Sequence, residues 1–314
     1  MNVRPFDWRD LPALHRYRNQ SVFLHSSLVL TRGPMLIPGV VLSSFTQATG
    51  IYTSICMEKR ESNGVLIGQV LHEPGTQIAH LTFLTPDEAL QSPSLTLLLE
   101  HLAVQMGEQG AFRLLAEVDE GAATFEALRQ AGFAVYTRQR IWKITNQLAE
   151  QSQPGSWQPM AEQDAIPLRS LYNNVVPGLV QQVESFPSQK PHGMVYRSGD
   201  DLIAYAGLNY GLRGIWVQPL VHPDAEHPLE RLSDLVSNLP YRFSRPVYFC
   251  IRSYLSWLEP FLEEMGAEAG PRQAVMVKHL VVQQKAVRTF ALPALEKGQP
   301  EVSAPIARSE NHQY

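Results

Sequence analysis

Glu117 and Asp119 close a run in which Phe112, Leu114, Ala116 and Val118 alternate with Arg113, Leu115, Glu117 and Asp119. That alternation is the period of a strand, so both acids share its polar side. A carboxylate there can take a proton from an amine held beside it, the work of a general base. A solvated strand edge accounts for the same residues. Further back, Ser92 followed by Pro93 makes a good N-cap and first-turn pair. The N–H groups of an open helix start can receive a phosphate, although an ordinary helix cap reads the same way.

Other chemistry is poorly represented. His72 and His80, with Glu73 between them, straddle a Pro-Gly turn and bring no third ligand, so no metal is expected. Cys56 and Cys250 lie far apart in apolar surroundings, without a metal-ligand or redox spacing. Tyr205, Asn209, Tyr210 and Arg213 surround a strand turn and either line an acceptor pocket or decorate a surface hairpin. There is no Gly-x-Ser-x-Gly elbow, phosphate-binding loop or dinucleotide glycine fingerprint.

The elements that must position these groups follow from length and pattern. With 314 residues, 44% apolar, the chain is expected to hold two domains, at about 150 residues each. The 26 basic and 30 acidic residues nearly balance, so no nucleic-acid partner is expected. The charged start of the chain has no apolar leader core, and no stretch approaches the roughly 18 apolar residues of a membrane span, so a soluble cytoplasmic protein without membrane contact is expected. Residues 148–156, rich in Gln, Ser, Pro and Gly, read as a linker between domains at 1–147 and 157–285, and 286–314 reads as a disordered tail.

The two segments repeat one another. Pro5, Asp10, Leu14 and Asn19 align with Pro159, Asp164, Leu168 and Asn173, and Pro86 and Asp87 align with Pro223 and Asp224. A helix follows in each, with Leu95, Leu98, Leu99, Leu102 and Met106 on one face of the first and Leu229, Leu232, Leu235, Val236 and Leu239 on one face of the second. Each then has a strand, a short helix ending near Gly132 or Gly266 at a left-handed cap position, and a last strand.

This order, with Val221-His222-Pro223-Asp224 after a β-run and the helix-then-glycine segments Phe125 to Phe133 and Trp257 to Ala267, resembles the GNAT N-acetyltransferase superfamily over residues 2 to 145 and 156 to 283. The resemblance implies an α/β (α+β) fold of two tandem domains, each a mixed, mostly antiparallel sheet flanked by helices. In that family the fourth strand is splayed from the fifth, acyl-CoA lies in the gap, and a glycine-rich turn surrounds its pyrophosphate. For this chain that implies acetyl-CoA or another acyl-CoA as cosubstrate and no metal. Its cofactor contacts would be Phe83, Leu84, Gln91, Ser92 and Ser94, and its acceptor a small-molecule amine or a peptide.

Both copies depart from the family's turn. Ala89 stands at the arginine position and Leu90 at the first glycine of the first copy, while Ser92 and Ser94 keep later positions small. In the second, Glu226 replaces the arginine, with Asp224 and Glu230 nearby and bulky Leu229 in place of a glycine; these carboxylates would repel a pyrophosphate. The family's general-acid tyrosine, four residues before the helix-ending glycine, is Leu128 in one copy and Leu262 in the other. A general base would come from His80, Glu117 or Asp119 in the first copy, or from the neighbourhood of Arg252 and Tyr254 in the second.

The expected function is acyl transfer to an amine, with the first copy holding the cosubstrate, Glu117 and Asp119 as the catalytic candidates, and the second copy as scaffold. The competing expectation is an inactive binding or interaction protein that has lost its cofactor site. Transfer of a larger acyl group through a remodelled turn is a third.

Overall fold

A computed structural model describes residues 2–34, 50–57, 64–145, 157–184, 186, 193–242 and 245–280. The expected linker and tail lie outside the described residues.

Each half opens on a strand that turns directly into a helix, and the aligned aspartates explain how. In the first, β1 (Asn2–Pro5) leads through a 3-10 turn to α1 (Leu11–Tyr17). Asp10 accepts the Asp7 N–H at 2.9 Å and two bonds from Arg4. In the second, β8 (Trp157–Pro159) leads to α5 (Ala165–Val175), and Asp164 accepts the Ala161 N–H at 2.7 Å while Arg197 pairs with its other oxygen. A short side-chain acceptor fastens the chain as it changes direction.

The remaining elements of the first half are β2 (Val22–Phe23), α2 (Ser26–Arg32), β3 (Ile51–Met57), β4 (Val65–His72), β5 (Ile78–Thr85), α3 (Pro93–Glu108), β6 (Arg113–Asp119), α4 (Ala123–Gln130) and β7 (Ala134–Ile144). Those of the second are α6 (Gly178–Val183), β9 (Gly193–Ser198), β10 (Asp201–Tyr210), β11 (Ile215–Val221), α7 (Pro228–Ser237), β12 (Val247–Arg252), α8 (Glu259–Glu264) and β13 (Glu268–His279). Gly132 and Gly266, after α4 and α8, have φ of +87° and +75°, a left-handed backbone that glycine adopts without a Cβ clash.

The strands form one mixed sheet in the order β1-β3-β4-β5-β6-β13-β7-β12-β11-β10-β9-β8, with β2 attached to β5. Its centre is an exchange. β13, from the end of the chain, pairs with β6 of the first half, while β7 pairs with β12 of the second, and the two exchanged strands pair with each other. One core packs α3 and α4 on the first half through Leu95, Leu98, Leu99, Leu102 and Leu128, each side chain contributing about 1.5–3 kcal/mol. A second packs α7 and α8 through Leu232, Leu235, Leu258 and Leu262. On the opposite face Leu168, Leu171 and Tyr172 of α5 meet Leu115, Tyr136 and Val275, so this core draws on both halves. Among the described residues no helix is long and apolar enough to cross a membrane.

Candidate functional site

Parallel strands that separate part-way expose backbone groups along both inner edges, and the sheet does this twice. In the first half β5 and β6 pair only from Ile78–Arg113 to His80–Leu115. Beyond that point the chain supplies its own filling. Val22 and Phe23 pair with Leu84 and Phe83, the Leu24 N–H donates to the Thr82 carbonyl at 2.9 Å, and the Glu117 N–H donates to the Leu24 carbonyl at 2.9 Å. Leu24 thus bridges the two strands and is 1% exposed.

Phe83 and Leu84 therefore have β4 on one side and β2 on the other. An acyl donor lying along them has to displace Val22–Leu24. The acids beside this gap are engaged: the Glu117 carboxylate accepts the Ser26 N–H at 2.8 Å, and Asp119 accepts from Gln273 at 3.0 Å. The ring of His80 stacks on His25 with centroids 4.5 Å apart. In the turn before α3, Gln91 ends a 3-10 turn and the Ser92 hydroxyl donates to the Ala89 carbonyl at 2.8 Å; Ser94 is buried.

The second gap differs. β11 and β12 pair from Ile215–Val247 to Val217–Phe249, and no described segment pairs with β11 on that side beyond Val217. Aligning Asn19 with Asn173 makes Val176–Gly178 the counterpart of Val22–Leu24. Pro177 has no N–H to give a strand, and its carbonyl instead accepts from Val180 and Gln181 as α6 begins. A helical turn thus replaces the bridging strand.

Beside this gap lies a buried polar cluster. Arg252 at the end of β12 is ion-paired with Glu184 at 2.6 Å and donates to Gln139 at 2.8 Å; Tyr136 donates to the same Glu184 oxygen at 2.7 Å. Burial lowers the Arg252 pKa, but Glu184, joined by Cys250, Tyr136 and Tyr254, outweighs it and the net shift is upward. Burial, reinforced by Glu184, raises Tyr136 and takes Tyr172 to about 12. Tyr254 is also raised, chiefly by burial. At pH 7 the cluster is one ion pair among neutral phenols.

The turn after β11 is acidic. Asp224 and Glu226 are exposed, Glu230 follows in α7, and His227 holds a left-handed φ of 54° just before the helix. The Arg231 guanidinium lies over the Tyr196 ring, 4.5 Å from its centroid. The apolar recess lined by Trp157, Tyr196, Val221, Arg231 and Leu258 has room for about one water molecule. Leu128 and Leu262 are fully buried.

Sequence reasoning singled out Arg252 and Tyr254, which sit together, and Glu117 and Asp119, which meet different partners. It missed Gln139, Gln273 and Glu184. Nothing in a lone glutamine within a β-run marks it as part of a network, because its partners come from distant strands. Tyr205 is buried, with its ring filling the space over Gly193, and Asn209 and Arg213 meet α2. Among the described residues no group of three or more His, Cys, Asp or Glu is placed to hold a metal. The His72 ring is bonded to the Thr76 carbonyl at 2.9 Å, which ties down its turn.

No family model and no curated protein matches the chain. It is similar to a GCN5-related N-acetyltransferase from Sphaerobacter thermophilus, with TM-score 0.52 and 11% identity, covering 88% of this chain and 95% of that one. It is also similar to a tandem GNAT protein from the clavulanic acid biosynthesis pathway, with TM-score 0.49 and 14% identity, covering 88% of this chain and 98% of that one. The fold is that of the GNAT N-acetyltransferases, present twice in tandem.

Proposed function

We propose that the chain, with copies at 1–147 and 157–285, is a cytoplasmic acyltransferase of the GNAT kind that moves an acyl group from acyl-CoA to an amine or peptide acceptor, and that its working cleft is in the second half. The observation that carries this is the asymmetry of the two gaps: the first is bridged by the chain's own Leu24, whereas β11 beyond Val217 keeps an inner edge unpaired within the described residues. That edge, where Val221 turns its N–H and carbonyl away from β10, suits the amide-bearing arm of an acyl donor, which supplies an activated thioester when bound. The acidic turn does not suit its phosphates, so the arm and not the pyrophosphate provides the hold. Arg252 and Glu184 fix the end of β12 beside the cleft, and orientation of an acceptor there contributes without a tyrosine at Leu262.

Asp224, Glu226 and Glu230 favour a second reading, a GNAT-fold binding protein that no longer takes acyl-CoA. Calorimetric titration with acetyl-CoA and free CoA, joined to amide exchange, separates the two. One site per chain with slowed exchange at Val221 supports the second-half cleft. Protection at Phe83 and Leu84 would return the site to the first half, and absence of heat at millimolar ligand would favour the binding protein.

A further inference from the structure

The segment that bridges the first gap is fastened at both ends. At its start, the Ser26 N–H donates to Glu117 and the Ser26 hydroxyl to Gln273 at 3.2 Å, so the first residue of α2 is tied to β6 and to the exchanged strand β13. At its end α2 rests on the β10–β11 hairpin of the second half. The Arg213 N–H donates to the Thr31 carbonyl at 2.8 Å, and the Asn209 amide donates to the Ser27 hydroxyl at 3.3 Å. Contact there is close: a Cβ on Gly211 would lie 2.2 Å from the Thr31 carbonyl oxygen, and one on Gly33 would lie 2.9 Å from the Arg213 side chain. The hairpin ends in β11, the strand whose inner edge borders the second gap.

We infer that Val22–Arg32 is a strap that covers the first gap, and that its seat is set by the β10–β11 hairpin of the second half. The strap is held in the gap by the backbone bonds of Leu24, the short β2 pairing and the burial of the Leu24 side chain, and its helix is clamped at the far side by a contact with no room for a side chain. A shift of the hairpin is therefore transmitted through seven helical residues to Ser26 and on to Leu24. The bonds from the Val29 N–H to the His25 carbonyl and from the Gly33 N–H to the Val29 carbonyl join the two ends of α2, so a displacement at its far end is carried to its start. The inference does not depend on the reaction proposed above.

Gly211→Ala tests it. Its φ does not require glycine, so the added methyl acts by pushing on Thr31. The Leu24 and Glu117 amides, followed by NMR hydrogen exchange, should exchange at least about tenfold faster as the gap opens locally. Gly178→Ala, whose Cβ meets nothing within 4 Å, should leave both unchanged. Ser26→Pro provides a second variant: proline is tolerated at the first position of a helix, and it removes both ties of Ser26, the N–H given to Glu117 and the hydroxyl given to Gln273. It too should speed exchange at Leu24. If Gly211→Ala perturbs Thr31 and Gly33 but leaves Leu24 and Glu117 protected, or Ser26→Pro leaves Leu24 protected, the strap is not a unit and the inference is overturned.

Discussion

Gln139 and Gln273 stand directly opposite one another on β7 and β13, and the amide nitrogen of Gln139 donates to the amide oxygen of Gln273 at 2.9 Å. Arg252 lies opposite Gln139 on the next strand and Asp119 opposite Gln273 on the other side. Four neighbouring strands thus carry Arg252, Gln139, Gln273 and Asp119 in a row, each donating to the next. A guanidinium only donates and a carboxylate only accepts, so the charged ends fix the sense of both amides. Two residues picked out as candidates for chemistry in separate halves are the two ends of one structural row.

Breaking the row at its charged end should be expensive. Arg252→Met leaves Glu184 half-buried without its cation, and the expected loss is about 3–5 kcal/mol in urea unfolding. Pairing it with Glu184→Gln should restore part of that, since no unpaired charge remains. Equal losses in the single and double variants would show that the ion pair is not what matters.

Alkali should weaken the protein through its phenols. Tyr172 is raised from 10.0 to about 12, so the folded state holds its proton more tightly than the unfolded one. The stability from this is fully present below about pH 10 and is lost as the pH rises toward 12. Unfolding midpoints measured from pH 9 upward should fall more gently in Tyr172→Phe than in the parent.

Acid acts on the opposite sign of shift. Burial raises the Asp10 pKa, but the bonds from Arg4 and Asp7 more than offset it and the net shift is downward. Its contribution is present above the ordinary value of 3.8 and is lost as the pH falls through the lowered one. Asp10→Asn should flatten the acid limb of the stability profile. At neutral pH Asp164→Ala should cost more than Asp10→Ala, because the Asp164 side chain is 3% exposed against 10% for Asp10. Each loss should be about 1–3 kcal/mol by thermal unfolding.

Placing a tyrosine at position 262, where the resemblance to the GNAT superfamily points to one, should not help the second half. Leu262 is fully buried, so Leu262→Tyr overpacks its core and should cost about 1–3 kcal/mol. Under the proposed acyl transfer, this variant should react no faster than the parent; a faster reaction would mean that the hydroxyl reaches the cleft.

What the sequence discloses is what neighbouring residues determine. Asp10 with Asp164, and Gly132 with Gly266, mark turns whose requirements are met within a few residues, and their spacing exposed the duplication. The apolar face of α3 is equally local. The strand of two residues at Val22 and Phe23 has too few positions to show a period, and its partner is decided by where β5 and β6 part. Alternation places Glu117 on a side of its strand but cannot say that Ser26, 91 residues earlier, meets it. The exchange of β7 and β13 has no sequence signal, because the alternation along a strand does not name its partner.

That exchange also binds the fate of the two copies. A chain cut between residues 145 and 157 would leave β6 without its neighbour β13, and β12 without β7. Each fragment would then present a long bare edge of a kind that recruits other chains and aggregates. Duplicated genes are usually free to be parted again. Here the copies have given each other a strand, so the pair must be inherited, made and degraded as a single object.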